Sequence, residues 1–285
     1  MFNFKNKTYK IKIVNNHLII KENDTNIKVV NNVIKNYYNA NKKVSSTVFA
    51  SLIGINKWQS VGLTVLDFLG ITRPLPIDPF YMKRGEIAEN LTVKYLTSKL
   101  IDKYPQHEIM YFKLSDFPNY DQFPNNKYFS GVTDIIVKKN KNITKNDTLE
   151  KRLDNVLIFE VKSKSKSNYD SIITNELYPE HEIAQGQFLA MLNQKSIVLL
   201  VWVFFDEACE NKIKLDYDNT LINTLNYNDV IIKIKEFKFN IDDLQKKAYL
   251  VYDMLVNIIK DKKIPLSLFS ESEINYLKGH ADEKN

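Results

Sequence analysis

The chain has 285 residues, with 40 Lys and Arg against 34 Asp and Glu for a formal net charge of +6, and one cysteine, Cys209. A single cysteine excludes a disulfide framework, a zinc ribbon and a cysteine-ligated iron–sulfur cluster, and it points to a reducing compartment. No apolar segment of signal-peptide type follows the N-terminus, and the longest apolar run, Ile197 to Phe205, is too short to span a bilayer, so a cytoplasmic protein with no membrane partner is expected.

The predicted elements begin with alternating stretches at Thr8 to Val14 and His17 to Glu22 around Asn15-Asn16, the pattern of a hairpin turn. Val29 to Tyr38 reads as a further short element. Residues 1–43 are therefore expected to form an N-terminal extension. Ser45-Ser46-Thr47 precedes an apolar run to Ile53 that stops at Gly54, which predicts a capped helix. A second helix is expected over Gly62 to Leu69, then a stiff connector from Pro74 to Pro79, then a long helix from Tyr81 to Asp102.

Strands are predicted at Glu108 to Leu114, Tyr128 to Lys138 and Asn155 to Lys162, with Lys139 to Asp154 as a Lys/Asn-rich protruding loop. Pro179 can open a helix that carries Glu180 and Glu182 in its first turn and runs to about Asn193. Ile197 to Phe205 reads as a strand buried on both faces. Further strands are expected near Lys212 to Leu215 and Val230 to Phe239. A last helix is expected over Asp242 to Lys260, on the spacing of Leu244, Ala248, Val251, Met254, Leu255, Ile258 and Ile259. Residues 44–265 would form the main domain, and 266–285 a polar tail that frays from Ser270 onward. The order predicts an α/β fold.

The charge is compatible with a polyanionic partner, although a lysine excess also serves solubility or reflects an AT-rich genome. The only arginines are Arg73, Arg84 and Arg152. A lysine-dominated surface suits phosphate contact rather than base reading, so any nucleic-acid binding should be backbone-dominated and weakly sequence-selective.

The most informative segments are Gly131-Val132-Thr133-Asp134 and Asn155-Val156-Leu157-Ile158-Phe159-Glu160-Val161-Lys162-Ser163. On a strand, Ile158, Glu160 and Lys162 share one face, with Phe159 and Val161 on the other. Asp134 is expected on the neighbouring strand. Burying two carboxylates and a lysine together is costly unless they are paired or bind a metal. Such a pair of carboxylates suits Mg²⁺, which prefers oxygen ligands.

Asp134 with Glu160-Val161-Lys162 resembles the core of the PD-(D/E)XK nuclease superfamily. Three more segments resemble its lambda-exonuclease-like branch, the YqaJ-type viral recombinases. They are Ser46 to Trp58, Arg84-Gly85-Glu86-Ile87-Ala88-Glu89 followed by Tyr95, and Tyr178-Pro179-Glu180-His181-Glu182-Ile183-Ala184-Gln185-Gly186-Gln187. Thr133 stands where the superfamily label has proline, and the Lys/Asn-rich loop is a second departure.

The resemblance implies a restriction-endonuclease-like core, a mixed central sheet flanked by helices, here with the N-terminal hairpin and a C-terminal helix. It implies Asp134, Glu160 and the carbonyl of Val161 as holders of Mg²⁺, with Mn²⁺ as a substitute. Glu89 would complete the shell, directly or through water. Lys162 would serve the attacking water, and Gln185 would orient the lysine or a phosphate. Arg84 and Ser46 would contact the DNA backbone. Plainer alternatives stand beside these roles. Glu89 can pair along its helix, Gln187 competes with Gln185, Arg84 can be a surface charge and Ser46 a helix cap. Trp58 and Trp202 are expected to pack.

The function implied is Mg²⁺-dependent exonuclease action on linear duplex DNA ends in recombination or repair. The implied partners are a single-strand annealing protein and further copies of the chain in a ring trimer, with a viral or phage source possible for such a gene. A restriction- or repair-type endonuclease on the same core, and an inactive DNA-binding module, are the alternatives. No Gly-x-x-x-x-Gly-Lys-Ser/Thr loop is present, so no motor of that type is expected.

Overall fold

The computed structural model describes residues 9–22, 43–69, 78–101, 107–138, 156–216, 220–261 and 263–278. The expected element at Val29 to Tyr38, most of the Pro74 to Pro79 connector and the Lys139 to Asp154 loop lie outside them. Along the chain the elements are β1 (Tyr9–Val14), β2 (His17–Glu22), α1 (Ser46–Leu52), α2 (Val61–Phe68), α3 (Pro79–Leu96), β3 (Glu108–Tyr111), β4 (Ile135–Lys138) and β5 (Val156–Ser165). Then follow α4 (Glu180–Leu192), β6 (Ile197–Phe205), α5 (Glu207–Leu215), α6 (Leu221–Thr224), β7 (Ile231–Lys238), α7 (Ile241–Asp261), β8 (Lys263–Pro265) and α8 (Glu271–Lys278). Among the described residues no helix is long and apolar enough to cross a membrane.

The chain divides into two compact units. The first comprises residues 1–75, 125–130 and 245–285. Its sheet has the order β1-β2-β8, all antiparallel. Asn15 and Asn16, at φ 48° and 60°, make the turn between β1 and β2, because two left-handed residues match the twist of a tight hairpin. Leu18 pairs with Ile264 across the β2–β8 ladder, and both are fully buried. In α7, Ala248, Val251, Leu255, Ile258 and Ile259 are buried, as the 3.6-residue spacing predicts. The segment expected to fray contains α8. Ser270 and Glu273 form a reciprocal cap there: the Ser270 N–H donates to Glu273 Oε2 at 2.8 Å, the Glu273 N–H to Ser270 Oγ at 3.4 Å. Leu277 anchors the helix by burial.

The second unit, residues 76–124 and 131–244, holds a five-stranded mixed sheet in the order β3-β4-β5-β6-β7. Only the β5–β6 pair is parallel. Helices cover both faces, so the α/β architecture expected from the sequence is the one observed. One face packs Ile135, Val137, Phe159, Val161, Val201 and Val203 against Ile87, Ala88 and Leu91 of α3. The other packs Ile136, Ile158, Leu200, Trp202 and Phe204 against Ala190 of α4 and Ile172. The alternation of β5 is thereby realised, and β6 is buried on both faces, as its unbroken apolar run requires.

Two local expectations are corrected. The strand expected near Lys212 to Leu215 is the last turn of α5. Asp206 caps this helix by accepting from the Cys209 N–H at 2.8 Å, and Cys209 and Ile213, four residues apart, bury the same face. Lys212 and Lys214 fall in the last turn, where cations favour the helix dipole. The strand expected over Tyr128 to Lys138 begins only at Ile135, so Asp134 immediately precedes β4 rather than lying within a strand.

Candidate active site

The site lies where β4 begins and the middle of β5 passes it. Ile135 pairs with Phe159, so one step further Asp134 stands opposite Glu160. Asp134 Oδ2 accepts from the Val161 N–H at 2.7 Å, which fixes the aspartate against the neighbouring strand. Thr133, beside Asp134, is fully buried and held by two hydrogen bonds. Its N–H donates to Gln122 Oε1 and its Oγ1 accepts from Asn193 Nδ2, each at 2.9 Å.

Lys162 lies two residues beyond Glu160 on the same strand face. Its Nζ donates to Glu160 Oε1 and to Gln185 Oε1 of α4, both at 2.7 Å. Gln185, not Gln187, is thus the glutamine that reaches the lysine. Gly186 is what permits this approach. A Cβ there would stand 2.8 Å from Leu200 Cδ2, 3.1 Å from Val198 Cγ2 and 3.4 Å from Glu160 Cβ. The bare backbone lets α4 lie against the strand that bears Glu160.

Glu89 arrives from α3, the helix on the opposite face. Its Oε2 accepts from the Tyr111 hydroxyl at 2.9 Å. Burial pushes the Glu89 carboxyl up to about 7; the Tyr111 bond opposes this and the charges of Glu160 and Glu86 reinforce it. Burial likewise raises the Asp134 pKa well above the usual carboxylate range, with Glu160 and Glu89 adding to it. Burial works to lower the Lys162 pKa, but the charges of Glu160, Asp134 and Glu182 outweigh it and lift it above that of an ordinary lysine. Lys162 therefore stays an ammonium, while the carboxylates compete for it and for protons.

Two groups that sequence reasoning missed hold these elements in place. Glu182 is buried, with Oε1 on Lys164 Nζ at 2.5 Å and Oε2 on Trp202 Nε1 at 2.8 Å. It ties the first turn of α4 to both β5 and β6. Its position three residues before Gln185, on the same helix face, was the available sign. Tyr111 is the second, and its placement depends on the β3–β4 register.

Arg84 is buried and fully engaged. Nη1 pairs with Glu210 of α5 at 2.5 Å, while Nε and Nη2 donate to the hydroxyl and carbonyl of Ser163 at 3.3 Å. The guanidinium also lies over the rings of Phe80 and Tyr81. In this structure Arg84 joins the Glu89 helix to the residue next to Lys162. Ser46 belongs to the other unit, where it is the first residue of α1. Its neighbour Ser45 is the cap, accepting from the Val48 N–H at 3.4 Å. Trp202 packs as expected, fully buried, but Trp58 is 87% exposed and packs on nothing that would bury it.

The donor set suits a hard cation, being all oxygen and rich in negative charge, and Glu160 Oε2 is buried without a hydrogen-bond partner. As the side chains stand, no group of three or more His, Cys, Asp or Glu among the described residues is arranged to hold an ion. Glu160 Oε1 is turned to Lys162, Asp134 Oδ2 to the backbone and Glu89 Oε2 to Tyr111.

No family model matches the chain, and no curated protein does. Among solved structures it is similar to the crystal structure of an alkaline exonuclease (LHK-Exo) from Laribacter hongkongensis, at 13% identity over 86% of this chain and 96% of that one with a TM-score of 0.44, and to LHK-Exo in complex with dAMP, at 14% identity over the same shares with a TM-score of 0.46.

Proposed function

We propose that this protein is a divalent-cation-dependent deoxyribonuclease that digests linear duplex DNA from its ends. The observation that carries the reading is the meeting of Asp134, Glu160 and Lys162 on one end of the sheet, with Gln185 bonded to the lysine and Glu89 electrostatically linked to the group. Hydrolysis of a phosphodiester requires charge neutralisation at the phosphate and an activated water, and this is a set of groups able to supply both.

Asp134, Glu160 and the Val161 carbonyl would hold Mg²⁺, with Glu89 completing the shell directly or through water. When bound, the ion supplies Lewis-acid neutralisation of the phosphate and a lowered pKa for the attacking water. Lys162 contributes a fixed ammonium, held between Glu160 and Gln185, that can hydrogen-bond the attacking water or the charge developing on the phosphate. Gln185 keeps that ammonium aimed, because its oxygen accepts one of the three N–H bonds. Arg84 would act by fixing α3, and hence Glu89, relative to β5; a direct phosphate contact would require its release from Glu210. Ser46 remains a candidate backbone contact from the first unit.

The four motif resemblances extend the proposal to end processing in recombination or repair, with a single-strand annealing protein as partner and a ring of identical copies. The test is a product gel with purified protein, Mg²⁺, linear duplex and covalently closed circle. Linear DNA should shorten from its ends while the circle survives; Mn²⁺ should substitute, and Ca²⁺ should bind without supporting cleavage. Efficient cutting of the circle would replace the exonuclease by an endonuclease on the same core. No cleavage of either substrate under any divalent cation would leave only a DNA-binding module.

A further inference from the structure

We infer that the turn between α1 and α2 is a stacking platform for unpaired bases of a nucleic acid, with Trp58 as the contact and Lys57 as its phosphate partner. This rests on the reading of the protein as one that handles DNA. It is a claim about a second contact, in the first unit, carried by side chains that take no part in hydrolysis.

Single exposed apolar residues are ordinary on protein surfaces. Trp58 differs in degree and in setting. It is 87% exposed, the most exposed large apolar side chain among the described residues, and Lys57 beside it is exposed as well. An indole left in water forgoes the burial that makes tryptophan favourable in a fold.

The backbone beneath it is nevertheless fixed in detail. Gly54, at φ +78°, ends α1 in the left-handed region and turns the chain. The Asn56 side chain donates from Nδ2 to Ser51 Oγ at 2.9 Å, and its Oδ1 accepts from the Trp58 N–H at 3.0 Å. The Gln59 amide donates to Asp67 Oδ2 at 2.7 Å, and Ser60 caps α2 by accepting from the Leu63 N–H at 3.1 Å. Residues on both sides of Trp58 are thus tied to the helices while the indole is not. A turn fixed in advance around an exposed aromatic lowers the ordering cost of binding a flat ligand. Aromatic stacking with an adjacent cation is how single strands are held without sequence preference. A lysine-rich chain with three arginines fits that mode.

The test uses the intact chain in EDTA, so that no substrate is cut. Binding of labelled oligothymidylate, and of a blunt duplex of equal length, is followed by anisotropy. Tryptophan emission is followed in parallel with unlabelled oligonucleotide. Trp202 is fully buried and is retained in Trp58→Ala, so the part of the emission change lost in that variant reports Trp58. The single strand should quench the emission, and the blunt duplex should quench it less. Trp58→Ala should abolish the quench and weaken single-strand binding about tenfold or more, as expected for the loss of one stacked base. Trp58→Phe should retain most of the affinity, and both variants should melt at the wild-type temperature.

Tight anisotropy binding with unchanged emission, or unchanged affinity in Trp58→Ala, would overturn the platform while leaving the nuclease reading intact. Emission that depends on protein concentration rather than on DNA would assign the indole to contact between copies and overturn the platform too. Absence of single-strand binding by anisotropy would likewise overturn the platform, whereas the nuclease reading is decided separately by the product gel in Mg²⁺.

Discussion

Glu89→Gln should make the cation-free protein more stable above neutral pH while leaving its stability near pH 4 unchanged. The Glu89 carboxyl is raised from 4.5 to about 7 in the folded protein. The folded state therefore holds this proton more tightly than the unfolded state. Its contribution is complete below the unfolded value of 4.5 and is lost as pH rises through about 7. One pKa unit is about 1.4 kcal/mol, so the loss amounts to at most about 3 kcal/mol by pH 8. The substituted amide would still accept the Tyr111 hydroxyl but carry no charge, so it escapes the loss and also relieves Asp134, whose pKa Glu89 helps to raise.

For a protein of this size, roughly 2–4 °C of melting temperature accompanies each kcal/mol. The variant should then melt up to roughly 6–12 °C above wild type at pH 8 in EDTA, with the two converging near pH 4. A residual decline in the variant, from Asp134, is expected. Adding Mg²⁺ at pH 8 should stabilise wild type more than the variant, since ligand binding to the folded state alone raises stability by mass action. Parallel declines of the two proteins between pH 4.5 and 8 would refute the burial and repulsion assigned to Glu89.

Asp134→Ala, Glu160→Ala and Lys162→Ala should each lower cleavage by two or more orders of magnitude, with the fold intact by circular dichroism. Near-normal activity of Glu160→Ala would remove it from the site. Arg84→Ala should destabilise by roughly 3 kcal/mol or more, because it strands the Glu210 carboxylate. Combining it with Glu210→Ala should recover part of that loss in a double-mutant cycle; strict additivity would deny the pair. Gly186→Ala should cost roughly 1–3 kcal/mol through overpacking against Leu200, and lower kcat by displacing Gln185. Chemical denaturation and initial rates check both effects.

The pairing of Glu160 with Lys162 was legible because strand alternation fixes which residues share a face, and here the two differ by one full period. The helix of Gln185 was legible from Pro179 and the acidic first turn, but its choice over Gln187 depends on where α4 crosses β5. Arg84 was legible as an important residue and not as a buried one, since its partner Glu210 is 126 residues away in sequence. Lys212 to Leu215 alternates in hydrophobicity like a strand. Its helical state depends on the Asp206 cap and the Cys209–Ile213 spacing, which a four-residue window does not contain. The Ser270–Glu273 capping box was present in the sequence and outweighs the polar composition that suggests fraying. Trp58 was read as a packing residue on type alone; a turn that faces water carries no periodicity to correct that reading.

The site draws groups from both sides of one sheet, and this explains why its supports matter. Glu89 comes from α3 beneath, Gln185 from α4 above, and Asp134, Glu160 and Lys162 from the sheet between them. Within the cluster the Lys162–Gln185 bond holds α4 to β5, but Glu89 faces the charges of Glu160 and Glu86. Further restraint comes from outside it. Arg84 joins α3 to Ser163 and Glu210, and Glu182 joins α4 to Lys164 and Trp202. Each support meets β5 within two residues of Lys162. The strand that bears the reactive groups is therefore gripped from both faces at the point where charge repulsion would otherwise separate its neighbours. A cation taken up by the carboxylates would relieve the repulsion those supports resist.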